Sequence, residues 1–114
     1  MSAKNKQLEK KVWDRLATVI DPELGLDIVS LGLIYGVKVS ATSADAYQVT
    51  VDLTLTTAGC PLAGVIRAMV VQAVVQADPR RLAPDKVQVN LVFDPPWTPD
   101  MMSQEAKTKL KFML

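Results

Sequence analysis

Apolar residues recur over 4–20 at Leu8, Val12, Leu16 and Ala17, with Trp13 and Ile20 beside them. That spacing follows roughly 3.6 residues per turn and predicts a helix resting on a core, with its lysine-rich face in solvent. Asp21-Pro22 is expected to stop it, because proline pushes the preceding residue out of the α region. From 21 to 32 the period vanishes, and Pro22, Gly25 and Gly32 punctuate Leu24, Leu26, Ile28, Val29 and Leu31. This reads as an ordered loop that folds its leucines against the core, with Ser30 placed to cap a short turn.

Residues 33–39 and 47–55 suit strands; in the second, Val49, Val51, Leu53 and Leu55 alternate with Thr50, Asp52, Thr54 and Thr56. The polar link 40–46 is short enough for a hairpin, so the two are expected to pair antiparallel with one face buried. Residues 62–76 are apolar nearly all round and predict a buried helix on the sheet, ended by Asp78-Pro79. Alternation at Val87, Val89, Leu91 and Phe93 predicts a third strand over 86–93, parallel to the second across a βαβ crossover. A stiff loop, Asp94-Pro95-Pro96-Trp97-Thr98-Pro99-Asp100, leads to a last helix over 103–114, capped by Ser103 with Ala106, Leu110 and Met113 inward. The order α-β-β-α-β-α predicts an α/β fold of the α+β two-layer sandwich kind: a small mixed three-stranded sheet with helices packed on one face.

At 114 residues the chain is expected to form one domain, 1–114. Thirteen basic against twelve acidic residues give a net charge of +1, which supplies no field for a polyanion, so no nucleic-acid role is expected. No apolar run reaches the ~20 residues needed to cross a bilayer, and the polar start has no signal-peptide core. With a single cysteine, a cytoplasmic location off the membrane is expected. The absence of histidine excludes Ser-His-Asp and Cys-His nucleophile pairs and every Cys/His zinc finger. The remaining chemistry belongs to cysteine, carboxylates and hydroxyls.

That chemistry gathers where the second strand turns into the second helix, at Leu55-Thr56-Thr57-Ala58-Gly59-Cys60-Pro61-Leu62. Pro61 suits a first helical position, which puts Cys60 at or next to the N-cap, where free N–H groups and the helix dipole favour a thiolate. The plainer alternative is a small buried hydrophobe. Asp21, Glu23 and Asp27 bring three carboxylates close together in the first loop, as metal or base candidates or as a solvated rim. In a βαβ unit, ligands gather at the carboxyl ends of the parallel strands, where the turn at Cys60 and the Asp94 loop both fall. The Asp21 loop is expected to converge there. Trp97, far from any apolar stripe, is expected to close over the cysteine turn or to meet a partner.

The stretches Asp21-Pro22-Glu23-Leu24-Gly25-Leu26-Asp27-Ile28-Val29-Ser30-Leu31-Gly32-Leu33-Ile34-Tyr35, Thr56-Thr57-Ala58-Gly59-Cys60-Pro61-Leu62 and Phe93-Asp94-Pro95-Pro96-Trp97-Thr98-Pro99 resemble the three signature segments of the SufT/PaaD-type iron-sulfur assembly domain. The resemblance implies a fold similar to the C-terminal domain of NifU-type scaffolds. It also implies a small cytoplasmic factor that helps mature or deliver iron-sulfur clusters, whose partners are the assembly machinery and client apoproteins. Its cleft maps onto Asp21, Glu23, Thr56 and Cys60; beside that mapping, Thr57 is expected to adjoin the cleft and Asp94 and Trp97 to contact a partner. The chain lacks the cysteine-rich extension of PaaD-like members, which favours general maturation over service to a phenylacetyl-CoA oxygenase-type complex. One thiolate cannot hold a cluster that usually takes four, so any metal role for Cys60 is a transient iron-sulfur cluster shared across a homodimer or with a partner. Two readings of other classes stay open: a thiol-dependent enzyme with Cys60 as nucleophile and Asp21 or Glu23 as base, and an interaction module with an inert Cys60.

Overall fold

The computed structural model describes residues 3–22, 24–43, 46–56 and 63–113, with side chains described over 5–22, 24–43, 46–56 and 63–109. Helix α1 (Ala3–Leu16) buries Leu8, Val12 and Leu16 and leaves Lys6, Lys10 and Lys11 outside, as its period predicts. It ends four residues before the expected Ile20. The Thr18 hydroxyl donates to the Arg15 carbonyl at 2.6 Å, a hydrogen-bonded turn follows through Thr18, and the β-branched run leaves it at Val19 and Ile20. Ile20 then bridges antiparallel to Asp27 and stands 44% exposed instead of closing the helical stripe.

Strands β1 (Ile34–Ser43) and β2 (Ala46–Leu53) form the expected antiparallel hairpin, and β3 (Val87–Leu91) lies parallel to β2, giving the order β1-β2-β3. The register places Val37 and Val39 across from Val51 and Val49, and Val87, Val89 and Leu91 beside Val49, Val51 and Leu53. This apolar row faces the core: Val49, Val51 and Leu53 are fully buried. The opposite face is polar, with Gly36, Asp52 and Asn90 in one row and Lys38, Thr50 and Gln88 in the next. There Asn90 Nδ2 donates to Asp52 Oδ1 at 3.2 Å and Gln88 Nε2 to Asn90 Oδ1 at 3.1 Å.

Helix α2 (Ala63–Ala77) buries Ile66, Val70, Ala73 and Val74 and packs with α1 against the apolar face of the sheet. The all-round apolar pattern overstates its burial, since Val65 is 49% exposed. A single helical layer gives α2 only one face to bury. Two 3-10 turns, Pro84–Lys86 and Pro99–Met101, precede β3 and the last helix, α3 (Gln104–Met113). Ser103 caps α3 as expected, its Oγ accepting from the Ala106 N–H at 3.1 Å. Buried Met102 and Ala106 tie this end of the chain to the core.

Candidate functional site

The carboxyl ends of β2 and β3 form a junction of three segments. Past β2, the Thr54 N–H donates to the Leu33 carbonyl at 2.8 Å, and past β3 the Val92 N–H donates to the Leu53 carbonyl at 2.9 Å. The 94–102 loop folds back over residues 30–35. The Trp97 indole N–H donates to the Leu31 carbonyl at 2.7 Å, the Tyr35 hydroxyl to the Pro95 carbonyl at 2.7 Å, and the Ser103 N–H to the Ser30 carbonyl at 2.7 Å. The first loop's second half, the exit of β2 and the proline-rich loop therefore meet at one end, while the cysteine turn expected to join them lies outside the described residues.

The first loop is a small hairpin. Its rungs run from the Asp21 N–H to Leu26 and from the Ile28 N–H to Val19, both at 2.9 Å. Asp21 holds the bend: its carbonyl accepts from the Gly25 N–H at 2.8 Å and its Oδ1 from the Leu24 N–H at 3.2 Å. At 4% exposure Asp21 is no member of a solvated rim. Its Oδ1 thus completes the turn, as an aspartate at such a bend does. Asp27 also serves the backbone, its Oδ2 accepting from the Ser30 N–H at 2.9 Å, so Asp27 rather than Ser30 caps the turn that follows.

Of the candidate cleft residues, Thr56 is half-buried just past β2, while Glu23, Thr57 and Cys60 lie outside the described residues. Among the described residues no three acids, cysteines or histidines gather as a metal site. Asp94 is exposed. Trp97 is half-buried and packed against the core cluster, with its N–H committed to Leu31, so it acts as a strut between loops. The sequence pattern misses that role because its partner is a backbone carbonyl sixty-six residues away.

Thr54 was also missed. It is fully buried, and its hydroxyl has no hydrogen-bond partner among the described residues. Burying a hydroxyl without a bond costs about 1–3 kcal/mol. Thr54→Val is therefore expected to raise the unfolding free energy by about 1 kcal/mol in urea titrations. A fall of similar size would mean that the hydroxyl is satisfied from outside the described residues.

The family model described as "Iron-sulfur cluster assembly protein" matches residues 9–83, about two-thirds of the chain. The chain belongs to that family. It is 46% identical over 92 residues to the Fe-S protein maturation auxiliary factor SufT of Staphylococcus aureus (strain USA300), covering 81% of this chain and 96% of that protein. It is 38% identical over 103 residues to the Fe-S protein maturation auxiliary factor YitW of Bacillus subtilis (strain 168), covering 90% of this chain and 93% of that one. Among solved structures it is similar to a domain of unknown function from Bacillus anthracis, with a TM-score of 0.79 and 37% identity over 95% of both chains. The SufT-like resemblance and the α+β fold with its mixed sheet stand on these matches. Asp21, Glu23, Thr56, Thr57 and Cys60 all fall inside the matched span, whereas Asp94 and Trp97 lie beyond it.

Proposed function

We propose that this protein is a cytoplasmic iron-sulfur protein maturation factor, working as a single domain and acting through Cys60. The observation that carries this reading is its identity to relatives named for Fe-S protein maturation across 81% and 90% of its length. Its only cysteine falls within the family span. The cluster is cargo. A chain with one thiol cannot saturate iron by itself, so Cys60 acts in transfer, paired with a thiol of a second copy, of the assembly machinery or of the client apoprotein. Its sequence position just ahead of α2, which begins at Ala63, suits a thiol biased towards thiolate. Asp21 keeps the first loop in shape, Glu23, Thr56 and Thr57 complete the cleft, and Asp94 with the surface beside Trp97 meets the partner.

The test is complementation of cells that lack the protein. Cys60→Ser, soluble and with an unchanged unfolding midpoint, is expected to leave the activity of cluster-dependent enzymes at the level of the empty vector while the wild type restores it. Full restoration by Cys60→Ser would overturn the thiol mechanism and leave an adaptor role.

A further inference from the structure

Beside Asp52, where the polar face of the sheet meets the 94–101 loop, opens a cavity of about 690 Å³. Ile34, Val92 and Pro95 give it apolar walls, Tyr35 borders it, and Asp52 and Asp94 supply carboxylates. Among the described residues no lysine or arginine lines it. The ion pairs among the described residues lie elsewhere, at Arg81–Asp78, Lys107–Asp100 and Lys109–Glu105. Lys38, the cation of the same sheet face, sits opposite Thr50 one row away and forms none of them. Asp52 still has an oxygen to offer, since Asn90 engages only Oδ1. The groove thus combines two carboxylates, unpaired with any cation among the described residues, with apolar walls.

Those two properties fit a long cationic side chain, and two carboxylates suit the forked head of arginine best. An arginine lays its methylenes on apolar surface while its planar head donates to carboxylates, and a polar partner without charge would leave both acids uncompensated. A cavity of this volume, open to solvent, also has room for the backbone on either side of that residue. We propose that the groove receives an arginine side chain from an extended segment of a partner protein, its guanidinium held by Asp52 and Asp94 and its stem against Ile34, Val92 and Pro95. This gives a chemistry to the partner surface proposed above and rests on that reading.

The probe is a blocked Ala-Ala-Arg-Ala-Ala peptide titrated into the full chain and followed by amide NMR. Its neutral twin carries citrulline in place of arginine, and putrescine serves as a small dication. The arginine peptide is expected to move the amides of Asp52, Val92 and Asp94 and to bind about tenfold more tightly than the citrulline twin, as loss of a charge-assisted pair requires. Asp52→Asn, which keeps the Oδ1 acceptor for Asn90, and Asp94→Asn at an exposed site are each expected to weaken binding by about threefold to tenfold. Equal binding of the citrulline peptide overturns the proposal, as do shifts confined to other residues or none up to about 10 mM peptide, weaker than any useful contact. Putrescine binding as well as the peptide overturns it in favour of a small-cation site. The titrations are repeated in Cys60→Ser, so that failure of the thiol mechanism and failure of the groove are read separately.

Discussion

Gly32→Ala is expected to cost about 3–4 kcal/mol and to lower the thermal midpoint by about 15 °C. Gly32 sits at φ +77°, in the left-handed region, where an L side chain costs about 1 kcal/mol or more. A Cβ built there would also collide with the Met101 carbonyl oxygen and lie 2.9 Å from its carbon. That neighbour is backbone, held by the Met101 N–H to Thr98 at 3.0 Å and the Met102 N–H to Pro99 at 3.1 Å, so it cannot rotate aside. The 3-10 turn must move as a unit, at about 1–3 kcal/mol for an overpacked contact. Gly32→Asn separates the two costs, because asparagine tolerates a positive φ but carries the same Cβ. If collision dominates, asparagine gives no rescue; recovery of half the loss would assign the cost to φ. A variant within 0.5 kcal/mol of wild type, an error-sized change, would mean both that Gly32 does not hold a positive φ and that the 94–102 loop does not pack on it.

The elements that were legible in the sequence have local causes. The stripe Leu8, Val12, Leu16 fixes α1, and alternation from Tyr47 to Leu53 fixes the central strand and the face it buries, because period and burial are one property there. Local signals also erred locally. Asp21-Pro22 carried the expected helix stop, but the β-branched residues ahead of it had already ended α1 at Leu16. The apolar circumference of α2 hid that one helical layer leaves Val65 in solvent.

The site was legible only in part, because its geometry joins residues distant in sequence. That the first loop, the exit of β2 and the proline-rich loop share one end follows from strand order. The donor that pins each loop does not: Trp97 reaches Leu31 and Tyr35 reaches Pro95 across sixty or more positions. Asp52 looked like any polar residue on the open side of an alternating strand. It becomes notable only beside Asp94 in a groove that no described cation lines. Asp21 shows the converse, a residue marked by its motif that also holds the bend of its own loop through the Leu24 and Gly25 N–H groups.

Trp97 offers the sharpest division between partner contact and strut. As a strut, its replacement by alanine removes a half-buried indole and strands the carbonyl of fully buried Leu31. Truncating a large aromatic side chain costs about 3 kcal/mol here, at the lower end of the usual range because the ring is only half-buried. An unpaired carbonyl adds about 1 kcal/mol. Trp97→Ala is therefore expected to lose about 3–4 kcal/mol in urea unfolding, and Trp97→Phe, which keeps a ring but not the N–H, about 1–1.5 kcal/mol. In a Trp13→Phe background, the emission of Trp97 is expected to start blue-shifted and move to the red on Gly32→Ala, since both changes release the same loop. If Trp97→Ala instead unfolds within 0.5 kcal/mol of wild type yet abolishes complementation, the indole is spent on a partner and the strut is wrong. If both stability and complementation fall, restoration of function by Trp97→Phe in proportion to its recovered stability assigns the loss to the fold, because a partner that reads the indole itself would not accept phenylalanine on those terms.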